Sequence, residues 1–147
     1  DLNGMGTTVV AVRVSDNIAY IAHAGDSRAY LVSKDDVKQI TVDHSLVQNL
    51  VDRGEITPEE AERHPKKNLI TRALGVDKRI DVDFSEVDLC ENETLILCTD
   101  GLSNCVNNRE MSEEIKDGQY YAFADRLVKR ANKNGGNDNI TVVAIAI

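Results

Sequence analysis

Three aspartates stand where apolar stretches of the sequence end. Asp26 follows Ala22-His23-Ala24-Gly25, Asp100 follows Leu97-Cys98-Thr99, and Asp138 lies two residues before the apolar run 140–147. A carboxylate at the mouth of a buried strand loses water, which disfavours its charged form unless a donor or cation compensates. No Lys or Arg adjoins Asp100 or Asp138, so if the three converge, a metal ion answers their repulsion better than a salt bridge does. Carboxylate oxygens are hard ligands that select Mg²⁺, Mn²⁺ or Ca²⁺ over zinc. An aspartate beside glycine or asparagine is also an ordinary turn residue, and spacing alone leaves convergence open.

Other candidates carry less. His23 alternates within an apolar stretch and reads as a satisfied core histidine, while His44 and His64 read as surface or capping residues. The series Asp77, Asp81, Asp83, Asp88 lacks the glycine and spacing of a calcium loop. Cys90, Cys98 and Cys105 match no zinc pattern; Cys98 and Cys105 read as core or near-core thiols, and a reducing, cytoplasmic setting is expected.

The elements that must position the aspartates follow from patterning. Residues 7–14, 18–24, 29–32 and 37–41 are strand-like runs separated by short turns, which predicts an antiparallel meander covered on both faces. Ser45 with Gln48 predicts a helix start, and Thr57-Pro58-Glu59-Glu60 a second one, in an excursion over the surface. Residues 81–88 and 93–99 return to strands, with Leu95-Ile96-Leu97-Cys98 at a sheet centre. Helices are expected over 108–116 and 120–132, where Tyr120 and Tyr121 would pack, then a buried strand over 140–147. The whole reads as one α+β domain, strand-rich with helices outside.

Composition narrows the partners. The chain has 147 residues, with 25 acidic and 17 basic, for a net charge of −8. Such a balance excludes nucleic acid as the main partner, since phosphate binding needs a basic face. No apolar run reaches the length of a bilayer span.

The words around the aspartates occur in a telling order: Gly6-Thr7-Thr8, Ala24-Gly25-Asp26-Ser27-Arg28, Thr99-Asp100-Gly101-Leu102, and Gly136-Asn137-Asp138-Asn139-Ile140-Thr141. Together they resemble the metal-dependent (PPM, or type 2C) serine/threonine protein phosphatases, and residues 44–69 resemble the flap of the bacterial branch. The resemblance implies antiparallel sheets packed as a sandwich with flanking helices, a partial α-β-β-α fold. It implies Asp100 and Asp138 as ligands of two catalytic Mn²⁺ or Mg²⁺ ions and Asp26 as ligand of a third, weaker ion. Asn139 would orient the site as a supporting group, and Gly101 would let the backbone pass close to the metals. Ser27 and Arg28 would stabilise the bend. Phosphoserine and phosphothreonine proteins, opposed to a partner kinase, would be hydrolysed by a metal-activated water without a phosphoenzyme.

The sequence lacks the family's Asp-Gly-His-Gly-Gly word, whose aspartate bridges the two metals, and the upstream arginine that grips phosphate. With Asp1 as first residue, the expectation is the C-terminal part of one catalytic domain, inactive or nearly so alone and prone to self-association. The rival reading is a non-catalytic pseudophosphatase or regulatory interaction module. A third is a carboxylate-metal hydrolase of another phosphoester.

Overall fold

The computed structural model of the protein describes residues 4–116 and 120–146. Strand β1 (Val9–Ser15) turns into β2 (Ile18–Ala24) through Asp16 and Asn17, both at positive φ (52° and 62°). That is the left-handed turn chemistry that matches strand twist in a two-residue hairpin. β3 (Arg28–Val32) pairs with β4 (Val37–Gln39), and β5 (Asp83–Asp88) returns to β2. β6 (Thr94–Cys98) and β7 (Val142–Ala146) complete two antiparallel sheets, ordered β1-β2-β5 and β4-β3-β6-β7. β6 is interior and buried at all five positions, as its continuous apolar run predicts.

Two cores hold the layers. Ala19 and Ile21 of one sheet meet Ala29, Leu95 and Leu97 of the other, so the sheets pack face to face. On its far side the four-stranded sheet presents Tyr30, Val32, Ile96 and Cys98 to Leu102, Met111, Phe123 and Leu127. These come from α3 (Asp100–Ser103), α4 (Asn108–Lys116) and α5 (Phe123–Lys133). The α5 stripe Phe123, Leu127, Ala131 is fully buried, the outcome expected of its periodicity.

Four expectations change. The first four strands are no meander: β2 and β3 belong to different sheets, and the chain crosses between them at Gly25-Asp26-Ser27. Gly25 makes the crossing possible, with φ +113° and no Cβ to collide with Thr8. The three-stranded sheet is not covered on both faces among the described residues; Phe84 is 81% and Tyr20 45% exposed. β7 is an edge strand with Val143 exposed rather than a buried one, and Ile147, expected at its end, lies outside the described residues. Tyr121 is exposed and does not pack; Tyr120 instead uses its hydroxyl on that edge, donating to Ala144 O (3.2 Å) and accepting from Ala146 N (2.8 Å).

The excursion after β4 carries α1 (Leu46–Asp52) and α2 (Pro58–Glu62), neither of which buries a residue fully. Thr57 and Glu60 form the complete capping box; Ser45 caps α1 through Gln48 N, while the Gln48 side chain turns to Asp52. The base of this flap is closed by Leu46 N to Leu69 O and Thr71 N to His44 O, both 2.8 Å. Among the described residues no helix is long and apolar enough to cross a membrane.

Candidate metal centre at the strand ends

Asp100 stands at the end of β6 as the first residue of α3, and Asp138 in the loop before β7. Two strands that pair need not bring the loops beyond them together; here Thr99 does so. Its hydroxyl donates to Asn139 O (3.1 Å) and accepts from Thr141 N (3.0 Å), while Thr99 N donates to Thr141 O (3.2 Å). Gly101 faces the same segment, and a Cβ there would strike the carbonyl oxygen of Asn139. Its missing side chain therefore serves the contact between two loops. Asn139 likewise contributes its backbone: the carbonyl bonds Thr99, and the N–H donates to Asp138 Oδ1 at 2.6 Å.

The carboxylates sense one another. Burial pushes the Asp100 carboxyl above its ordinary 3.8, and the negative charge of Asp138 pushes it further. Burial likewise raises Asp26, followed by repulsion from Asp100 and a smaller push from Asp43. The crossing at Gly25 thus brings Asp26 to Asp100, and the stitched loops bring Asp138. None of the three forms a salt bridge among the described residues. Two partly buried carboxylates and an exposed third, each repelling its neighbour and with the nearby Arg28 bound to Asp43, are a donor set suited to a hard divalent ion.

Immediately beside them the logic reverses. Arg28 forks onto Asp43, with Nε 2.8 Å from Oδ1 and Nη2 2.7 Å from Oδ2, and gives Nη1 to Tyr30 Oη at 2.7 Å. Gln39 Nε2 adds a third donor to Asp43, at 3.1 Å from Oδ1. Ser27 Oγ meets Thr8 Oγ1 at 2.9 Å. Arg28 and Ser27 therefore brace the crossing, as expected. Asp43 drew no notice in the sequence as a charge near the site, because nothing in its local spacing points at Asp26, 17 positions upstream.

Among the described residues one group of His, Cys, Asp or Glu has metal-like proximity: His23, His44 and Asp83. Its geometry suits hydrogen bonding. The two rings stack 4.5 Å apart at 15°, and an ion lies in the plane of each imidazole it binds, so near-parallel stacked rings cannot share one. His23 Nε2 is already on Val42 O at 2.8 Å, confirming a satisfied core histidine. His44 departs from expectation: it is buried, 6% exposed, and bonded on both ring nitrogens. His64 keeps a capping role, accepting from Lys66 N.

A cleft of about 810 Å³ opens between the flap and the α3–α4 segment, with Asp26, Asp43 and Asp100 on its floor and Lys67 and Arg109 on its walls. Asp138 is not among the residues that line it.

Comparisons with known proteins bear on the family and the fold. The family model for protein phosphatase 2C matches residues 2–50. The serine/threonine phosphatase stp of Listeria innocua is 47% identical over 146 residues, covering 99% of this chain and 58% of that protein. The crystal structure of serine/threonine phosphatase Stp1 from Staphylococcus aureus superposes with a TM-score of 0.93 at 41% identity, over 98% of this chain and 57% of the other. A structure of the catalytic domain of the phosphatase PstP in complex with two manganese ions matches with a TM-score of 0.80 at 39% identity, over 97% and 59%. The chain thus spans somewhat under three-fifths of the length of these relatives. In sequence and in fold alike, it belongs to the PPM (type 2C) protein phosphatase family.

Proposed function

We propose that the protein to which these residues belong removes phosphate from phosphoserine and phosphothreonine in proteins, using Mn²⁺ or Mg²⁺ bound at Asp100 and Asp138, with a third ion at Asp26. The observation that carries this reading is the succession Asp26–Asp100–Asp138, in which each carboxylate repels the next and none forms a salt bridge among the described residues, the nearby Arg28 being engaged by Asp43. When bound, the ions supply an activated water and positive charge for the phosphoryl oxygens. The residues of this chain hold and orient. Thr99 and Gly101 lock the Asp100 loop to the Asp138 loop, and α3 fixes the direction of the Asp100 side chain. Arg28 is engaged by Asp43 and so braces the floor rather than gripping substrate.

Phosphoserine and phosphothreonine arise from protein kinases, so the substrates are the products of such a kinase. The flap forms one wall of the cleft and would sort protein substrates. This chain lacks the Asp-Gly-His-Gly-Gly word, so by itself it is proposed to turn over slowly or not at all. Its uncovered sheet face, with Phe84 and Tyr20, would favour self-association, read by sedimentation at increasing concentration.

The test is an assay of the whole protein and of this chain on a phosphothreonine peptide with Mn²⁺. Turnover in the whole protein that disappears in Asp100→Asn and on chelation supports the proposal. Metal-independent turnover overturns the metal-dependent mechanism, and no turnover beside intact metal binding overturns the proposal in favour of a non-catalytic module.

A further inference from the structure

His44 occupies a junction that the metal centre does not explain. Its backbone N–H donates to Gly25 O (2.9 Å), and its ring Nδ1 accepts from Gly25 N (3.1 Å). One residue thus holds both polar groups of the glycine directly before Asp26. On the other side of Asp26, Ser27 is pinned to Thr8 at 2.9 Å. Gly25 sits at φ +113°, where a free glycine has other basins open to it. With both flanks fixed, the backbone that carries the Asp26 carboxylate is held in place.

The far side of the ring leads to the flap. Nδ1 accepts a hydrogen bond, so in neutral His44 the ring proton is on Nε2, which donates to Asp83 Oδ2 at 3.0 Å. Arg72 Nη1 donates to Asp83 Oδ1 at 2.7 Å. It also lies 3.0 Å from Nε2, but two donors face each other there and make no bond. Arg72 follows Thr71, whose N–H donates to His44 O, and Ser45, next after His44, bridges to Ile70. Both ends of the flap hang from this residue. His23 stacks against the ring at 4.5 Å and holds its plane.

We propose that His44 is a positioning residue: through the Gly25 N–H it aims Asp26 at the cation site, with its tautomer set by the Asp83–Arg72 pair at the flap exit. The inference rests on the reading of Asp26 as a ligand. It assigns affinity for the ion at Asp26 to a residue that touches no metal, and it ties that affinity to the base of the flap.

The test is Mn²⁺ titration of this chain, followed by electron paramagnetic resonance and calorimetry, in wild type, Asp26→Asn, His44→Leu and His44→Asn. Asparagine can place Oδ1 where Nδ1 lies and accept from Gly25; leucine keeps the bulk and accepts nothing. The Asp26-dependent Mn²⁺ should weaken about tenfold in His44→Leu, as for loss of an outer orienting partner, and recover in His44→Asn. Melting curves without metal identify any variant that has simply failed to fold. In wild type, ¹⁵N spectra should show His44 Nδ1 as the unprotonated nitrogen, a signature that mere packing would not require. Wild-type affinity in a folded His44→Leu, or a protonated Nδ1 in wild type, overturns the inference. A wild-type chain whose Mn²⁺ binding ignores Asp26→Asn overturns the ligand reading itself, a result distinct from either.

Discussion

Five carboxylates cluster around the crossing between the sheets, and they fall into two groups. Asp43 and Asp83 are each held by an arginine at 2.7 Å, with Gln39 and His44 as further partners. Asp26, Asp100 and Asp138, in the neighbouring loops, have no such partner among the described residues; Asp100 repels Asp26 and is repelled by Asp138. The effect on protonation is opposite: Asp83 is held below its ordinary 3.8 by His44 and Arg72, while burial raises Asp26 and Asp100. The difference teaches where the molecule completes its own electrostatics and where it leaves them to a ligand. The paired group stiffens the frame, whereas the raised values of Asp26 and Asp100 mean that ionising them opposes folding, a cost that the proposed cation would relieve.

The largest way to break that contrast is to remove a ligand. Asp100→Asn or Asp138→Asn should weaken Mn²⁺ binding by more than about 100-fold, beyond the range typical of outer partners, in a calorimetric titration. Equal affinity in both variants would place these side chains with ordinary turn aspartates.

Next comes the paired group. Arg28→Ala should cost about 2–3 kcal/mol in urea unfolding, less than the roughly 3–5 kcal/mol of a fully buried pair because the guanidinium keeps partial exposure. Asp43→Asn should cost less than Arg28→Ala, since its one amide oxygen still accepts from the guanidinium. The reverse order would mean that Asp43 does more than hold Arg28.

The two groups also answer pH in opposite directions. A raised folded-state value, as for Asp100, means the folded chain holds its proton more tightly; that stability is full below about 3.8 and fades as pH rises through the folded-state value. Without metal, Asp100→Asn should therefore melt higher than wild type at pH 7, with the gap closing toward pH 3. For Asp83 the folded-state value is lowered, so its stabilisation is full above about 3.8 and fades as pH falls through the lower value. Asp83→Asn should lower the melting temperature at pH 7 and lose its effect in strong acid. Parallel trends in the two variants would erase the distinction.

The smallest expected effect concerns reactivity. Burial pushes the Cys98 thiol up to about 12, whereas Cys90 is exposed. Iodoacetamide at pH 8 should label Cys90 and leave Cys98 untouched until the chain unfolds, read by mass spectrometry. Early labelling at Cys98 would show that β6 opens.

Much of the frame was legible in the sequence. Alternation, capping residues and continuous apolar runs place β2, α2, β6 and α4, since each depends on neighbours a few positions away. The crossing at Gly25 was not, because a glycine-aspartate pair between apolar runs is equally the sign of a hairpin and of a change of sheet. Nor was the role of His44, whose partners are Gly25, Thr71 and Asp83, 19 to 39 positions away.

The sequence by itself determined the local elements, the acidic balance and, through the ordered words around Asp26, Asp100 and Asp138, the family. Only the tertiary structure decided which carboxylates are matched by a cation and which are not. Pairing depends on distance and desolvation between loops far apart in the chain, and those follow from how Gly25 crosses the sheets and how Thr99 joins the loops at their ends.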